Sequence, residues 1–458
     1  MTLPANASIA QCTAAFAAGT DTAVNFANGC LARIAASTLN AVVTPRASAA
    51  VLSDAAASDA RYAAGTPLSP IDGVPFTLKT VHTTNGIRTT NGTSGIDMTV
   101  AVDGDVAAKL KAAGAVLLGK TNVGSNPAQG VCALFGETHN ALNPAYATGG
   151  SSCGPAVAVA ANLSVFDIGE DAAGSNRIPG SFNGVFALKP TRHSVSRWGS
   201  RSVETPSCPP YGTLDTYNVG PLARSLDDLD TVLSIIAGPT ASWPDIVALD
   251  APSSPTLRQV LRLDFSSSWI TPSAFVTNKL LAVCSAMATA GITVNNTTQS
   301  WFNPSDFSNT FGGLQDEALL AGYSTTYPAS EVPWTCSGLN YGASHVSTQE
   351  QARAGAVGFM RAINAIMGDT GSSRGATDVL ILPTTPISPP AYGSAPNPSS
   401  WKDYMSRVGL FNITGHPALT IPAGIDPATG CGFGIQLVGR HGMDRDLIAY
   451  AKQVQAYI

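Results

Sequence analysis

At 458 residues the chain is long enough for two or three average domains, and with 44% hydrophobic and 12% charged residues it reads as an apolar-rich globular protein rather than a disordered one. The net charge of −5 is not concentrated in blocks, so no basic face for nucleic acid and no polybasic contact for a membrane surface is expected. Small molecules are the expected partners.

The opening MTLPANASIAQCTAAFAAG lacks the basic segment and unbroken apolar run of a secretory leader, and no stretch of about 18 apolar residues follows elsewhere. The expectation is a cytoplasmic protein without a membrane span. Cysteines at 12, 30, 132, 153, 208, 284, 336 and 431 show no CxxC pairing, which predicts buried free thiols and no metal site.

In chain order, DVAAKLKAAGAVLLGKTN predicts a helix with Val106, Leu110 and Ala113 on one face, stopped by Gly114 and followed by the strand AVLLG. PAVAVAANLSVFDIGED repeats the pattern, with small residues that let a helix lie close to a sheet ahead of a buried strand. SLDDLDTVLSIIAG offers Ser225 as N-cap, Asp228 as its capping-box partner and Gly238 as the stop. The only hint of a boundary, around residues 239–257, opens a more variable stretch rather than a second domain. Beyond it, TDVLILPTTP reads as a strand and DRDLIAYAKQVQAYI as a closing helix with Leu447, Ile448, Ala451 and Val454 inward. Helices alternating with apolar strands predict an α/β fold with a large central sheet. Residues 301–342 gather Trp301, Phe302, Phe307, Phe311, Tyr323, Tyr327, Trp334 and Tyr341, either a local aromatic core or a wall facing substrate.

Two serine-bearing turns invite a chemical reading. GGSSCG at 149–154 precedes the small-residue helix, and EDAAGSNRIPG places Ser175 in a tight turn after a strand. Such a turn can present a hydroxyl nucleophile and several backbone N–H donors to one point. No histidine among 82, 139, 193, 345, 416 and 441 sits in a triad motif. A base is instead offered by Lys79 in GVPFTLKT, where desolvation would favour the neutral amine. The alternative is a strand-end lysine that reaches solvent.

The stretch GGSSCGPAVAVAANLSVFDIGEDAAGSNRIPGSFNGVFALKPT, residues 149–191, resembles the glycine/serine-rich core of the amidase signature family, including its D-x-G-G-S-x-R-x-P and G-L-K-P-T elements. IDGVPFTLKT, LLGKTN, VGPLARSLDDL, FNITGHPALTIPAG and FGIQLVGR extend the resemblance over most of the chain apart from about 240–375. It implies a single domain over 1–458: a mixed β-sheet covered by helices on both faces, with a signature core at about 70–235, a variable helical, substrate-facing segment at about 240–375 and a C-terminal return at 376–458. It also implies a Ser-cisSer-Lys triad of Ser175 as nucleophile, Ser151 as bridging serine after a cis peptide, and Lys79 as base. Backbone N–H groups of Ala172, Ala173, Gly174 and Ser175 would form the oxyanion hole, with Ser152, Asp171 and Arg177 in support. Ala173 and Cys153 depart from the family's glycines, and the Cys153 thiol is expected to pack rather than react.

The implied activity is hydrolysis of an amide or carbamate C–N bond in a small neutral, partly apolar molecule through an acyl-enzyme, without metal or organic cofactor. A monomer or homodimer is expected. The alternatives are a urethanase, a non-catalytic binding member and an amidotransferase A-type subunit.

Overall fold

The computed structural model describes residues 3–458 except 91, 93–96, 125–129, 201–215, 242–245, 252, 266–270, 300–301, 303–304, 308, 312–313, 315–345, 368–376 and 394–397. The strands are β1 (Val42–Pro45), β2 (Pro75–Lys79), β3 (Arg88–Thr90), β4 (Asp97–Thr99), β5 (Val116–Thr121), β6 (Val131–Cys132), β7 (Gly136–Glu137), β8 (Phe166–Asp171), β9 (Phe186–Lys189), β10 (Asn218–Ala223), β11 (Gln259–Phe265), β12 (Thr293–Gln299), β13 (Val379–Pro383), β14 (Ala418–Ile425) and β15 (Gly432–Val438). Eleven of them form one sheet in the order β1-β5-β2-β8-β10-β9-β14-β15-β13-β11-β12, while β3–β4 and β6–β7 are two-stranded ribbons. The large sheet is mixed. β2 lies parallel to β5 and β8, β11 lies parallel to β12 and β13, and antiparallel pairs run from β8 through β15.

Successive strand side chains point to opposite faces, and here they enter different cores. Phe76, Leu78, Phe166, Ile168, Val379, Ile381, Phe433 and Ile435 join one apolar cluster with residues of helices Ala23–Ala36, Ser48–Ala63, Leu226–Ile236, Ala274–Thr289 and Asp444–Gln455. Their neighbours Leu380, Leu382, Ala418 and Val438 join a second cluster with helices Val346–Met367 and Pro398–Thr414, and Ala187 and Leu222 pack under helix Cys153–Ala160. The sheet is therefore buried on both faces, as the sequence implied.

Helix Asp105–Ala112 buries Val106 and Leu110, and the closing helix buries Leu447, Ile448, Ala451 and Val454. The variable stretch is not only helical, because β11 and β12 extend the main sheet. TVNNTTQ in β12 has no apolar alternation and is mostly solvent-accessible, as an edge strand can be, so the pattern that marks a buried strand is absent. Of the aromatic group, Phe302, Phe307 and Phe311 are buried and pack with Phe359 and Leu263 as a local core that also touches Ala173; Trp301, Tyr323, Tyr327, Trp334 and Tyr341 lie outside the described residues. Six cysteines are free and buried, and Cys208 and Cys336 lie outside the described residues. Among the described residues no helix is long and apolar enough to cross a membrane.

Helix Leu226–Ile236 starts at Ser225, whose hydroxyl accepts from Asp228 N at 3.1 Å. The capping box does not close. Asp228 instead accepts from Ile9 N at 2.8 Å and ties helix Ile9–Ala17 to this one. Ser225→Ala should cost about 1 kcal/mol, the usual worth of an N-cap hydroxyl, seen as a lower urea midpoint at unchanged slope.

Candidate active site

The face of β2 and β8 turned away from Phe76 and Leu78 is polar where the site lies. It carries Thr77, Lys79, Asp167, Gly169 and Asp171, all buried. Lys79 is the last residue of β2 and has no solvent exposure, which excludes the reading of a lysine that reaches water. Its Nζ donates to Ser151 Oγ and to Ser152 Oγ, each at 2.9 Å. The Gly150–Ser151 peptide is cis. Ser152 occupies the N-cap of helix Cys153–Ala160 yet makes no capping bond. Its hydroxyl faces Lys79, Glu170 O at 3.1 Å and Asn176 Oδ1 at 2.8 Å instead.

Ser175 sits in the turn after β8, half-buried like Ser151. The two serine segments are joined by Ser152 N–H donating to Ser175 O at 3.0 Å. The Ser175 hydroxyl makes no hydrogen bond among the described residues, so the link from Ser151 to Ser175 is open in this arrangement. Catalytic hydrogen bonds are often loose without substrate and tighten when it binds.

The turn itself is held by charge. Asp171 and Arg177, both without solvent exposure, form a two-pronged pair with Nη2–Oδ1 and Nε–Oδ2 each at 2.8 Å. Arg177 also reaches Val408 O, Gln436 Oε1 and Asn412 Oδ1, while Asn412 Nδ2 donates to Asp171 O at 2.7 Å. Burial alone would push the Asp171 carboxyl up. The Arg177 charge and the hydrogen bonds from Arg177, Asn412 and Gly174 outweigh it and hold the group well below the usual carboxylate range.

One of the four expected oxyanion donors is corrected by this arrangement. Gly174 N–H donates to Asp171 Oδ1 at 2.7 Å and is spent on bracing the turn. The N–H groups of Ala172, Ala173 and Ser175 have no partner among the described residues. Gly174 has φ +104°, and a Cβ there would fall 2.2 Å from Val408 Cγ2, so glycine is required. Cys153 is fully buried, and burial pushes its thiol up to about 11, which suits packing and not nucleophilic attack.

Sequence reasoning assigned no role to three further groups. Asn176, directly after Ser175, is buried and bonded to Ser152. Asp167 accepts from Thr77 and Thr121 beneath Lys79, and burial pushes its carboxyl up to about 7. Lys120 on β5 donates to His82 O, and burial brings it down to about 7. Lys120 lies in the matching LLGKTN stretch, whereas Asn176 falls on a position the motif leaves open. Among the described residues no group of three or more His, Cys, Asp or Glu is placed to hold a metal ion.

The family model for Amidase matches residues 27–448. The chain belongs to the Amidase family. The A subunit of a glutamyl-tRNA(Gln) amidotransferase from Synechococcus sp. (strain CC9605) is 39% identical over 216 residues, covering 46% of this chain and 42% of that protein. The match to this relative thus spans less than half of its length. Its namesake from Synechococcus sp. (strain CC9311) is 30% identical over 426 residues, covering 84% and 83%. Among solved structures this Amidase-family chain is similar in fold to a 6-aminohexanoate cyclic dimer hydrolase, with TM-score 0.80 and 23% identity over 99% of this chain and 97% of the other. It is also similar to a peptide amidase from Stenotrophomonas maltophilia, with TM-score 0.76 and 22% identity over 98% and 96%.

Arg177→Met would leave the Asp171 carboxylate buried without its counter-charge. The expected cost is about 3–5 kcal/mol, the usual penalty for breaking a buried ion pair. Denaturant unfolding of the variant checks it, and a loss below about 1 kcal/mol would show that the pair does not hold the turn.

Proposed function

We propose that the protein hydrolyses a C–N acyl bond through an acyl-enzyme on Ser175. The observation that carries this reading is the convergence of a fully buried lysine amine on Ser151 and Ser152, with the segment holding both tied by a backbone hydrogen bond to Ser175. A buried lysine and a bridging hydroxyl supply what a serine nucleophile otherwise obtains from histidine.

Lys79, as the neutral amine, takes a proton from Ser151 while Ser151 takes the proton of Ser175. Ser175 Oγ then attacks the carbonyl carbon. Negative charge gathers on the carbonyl oxygen beside the N–H groups of Ala172, Ala173 and Ser175. The proton returns through Ser151 to the leaving nitrogen as the C–N bond breaks. Water repeats the relay against the acyl-enzyme, releasing the acid and restoring Ser175. The steps call on no metal or organic cofactor.

A neutral, partly apolar substrate suits the low charge of the chain and the aromatic core of Phe302, Phe307 and Phe311 behind Ala173. The candidates are an aryl or alkyl amide and a carbamate ester, acted on by a monomer or homodimer in the cytoplasm. A second reading, the amide-transferring component of a larger complex, is favoured by the names of the relatives that match at 30–39% identity.

The test is amine release from a primary amide, an anilide, a secondary alkyl amide and an aryl carbamate, followed by mass spectrometry. Wild type should release amine from at least one. Ser175→Ala and Lys79→Ala should each lose on the order of 10³-fold or more, as when one member of a catalytic unit is removed. Full turnover by Lys79→Ala near neutral pH would refute the base assignment. Release of ammonia from glutamine only in the presence of a co-purifying chain would favour the second reading.

A further inference from the structure

The residue after the nucleophile is the open x of S-x-R-x-P, and in this chain it is Asn176. Its side chain is fully buried and makes two directed contacts. Nδ2 donates to Gly220 O on β10 at 3.2 Å, and Oδ1 lies 2.8 Å from Ser152 Oγ. A backbone carbonyl only accepts, so the Gly220 contact fixes which end of the amide faces Ser152. Space for this contact comes from β8. A Cβ on Gly169 would fall 2.2 Å from Asn176 Oδ1 and 2.7 Å from Ser152 Oγ.

Counting protons gives the consequence. Ser152 has one hydroxyl proton, and its two oxygen neighbours, Asn176 Oδ1 and Glu170 O, are acceptors only. That proton is drawn away from Lys79, and Ser152 meets Lys79 Nζ as an acceptor. A neutral amine has two N–H bonds and one lone pair. With one N–H committed to Ser152, the lone pair is available to the hydroxyl of Ser151, which is 2.9 Å away. If the Ser152 proton turned to Lys79 instead, it would occupy that lone pair and compete with the relay.

We propose that Asn176 is a positioning residue of the relay: as the nearer acceptor of the Ser152 proton, at 2.8 Å against 3.1 Å for Glu170 O, it commits Ser152 as an acceptor toward Lys79 and aims the Lys79 lone pair at Ser151. The proposal rests on the acyl-transfer reading above. It concerns the direction of the hydrogen bonds, not contact with substrate, so it should act on turnover and leave substrate binding alone.

The experiment measures kcat and KM on the preferred panel substrate for wild type, Asn176→Leu, Ser152→Ala and the double variant, with Ser175→Ala alongside. Asn176→Leu should lower kcat about 10-fold, a small part of the roughly 10²–10⁴-fold that a positioned acid–base group contributes, with KM within about twofold of wild type. In the Ser152→Ala background the same change should cost nothing further, because Asn176 acts through Ser152. Independent, multiplying losses, or a loss confined to KM, would overturn the proposal.

Asn176→Asp serves if the leucine variant does not fold. It keeps the size and the acceptor toward Ser152, gives up the donor to Gly220 O, and adds a negative charge near Lys79, which favours the ammonium form. The acid limb of kcat/KM should move to higher pH, with activity recovered above it. An unmoved limb would overturn the proposal. Turnover surviving in Ser175→Ala would instead overturn the reading on which the proposal rests, and so separates the two failures.

Discussion

A lysine amine without solvent exposure has to be met by groups that can hydrogen-bond it, or its burial is prohibitive. At the end of β2 that requirement is satisfied by two adjacent hydroxyls, Ser151 and Ser152, each 2.9 Å from Lys79 Nζ. Much of the surrounding architecture follows from delivering those hydroxyls. The serines must arrive on a tight segment between a glycine-rich approach and the helix Cys153–Ala160, and that helix must lie close to β8 and β2. Its Cys153, Gly154, Ala156 and Ala158 are small and fully buried, which permits the close approach. β8 in turn must present glycine at 169, where any side chain would displace Ser152 or Asn176.

The second requirement is a rigid turn for Ser175. It is met by long-range contacts, since Arg177 clamps Asp171 locally while Asn412 and Gln436, more than 230 residues away in sequence, complete its hydrogen bonds. The C-terminal return of the chain is therefore part of the site. The same contacts spend the Gly174 N–H on Asp171, which leaves the N–H groups of Ala172, Ala173 and Ser175 as the donors of the proposed oxyanion hole. Preformed donors of this kind need no reorganisation as charge develops, which is the source of their catalytic worth.

The strands and helices with clean periodicity, such as β8, helix Asp105–Ala112 and the closing helix, were legible because each buries an apolar face. β12 was not, because an exposed edge strand of polar residues carries no such alternation. Lys79, Ser151 and Ser175 were singled out through the resemblance of ordered motifs to the amidase signature, whereas the clustering of Lys79, Ser151 and Ser152 needed the fold to bring together residues 72 and 73 positions apart. Asn176 was hidden for a different reason. Its significance depends on Gly220 fixing the amide and Gly169 making room, and neither partner can be read from the turn itself. Asp228 shows the same limit, since its partner Ile9 is 219 residues distant.

Trapping the covalent intermediate tests the acyl-enzyme on Ser175 most directly. An activated ester or carbamate of the preferred acyl group, mixed with the protein and quenched in acid, should add the mass of that acyl group, and peptide mapping should place it on Ser175. The adduct should be absent from Ser175→Ala and strongly slowed in Lys79→Ala and Ser151→Ala. An acyl group found on Cys153 or another residue during productive turnover, or equal trapping in Ser175→Ala, would contradict it.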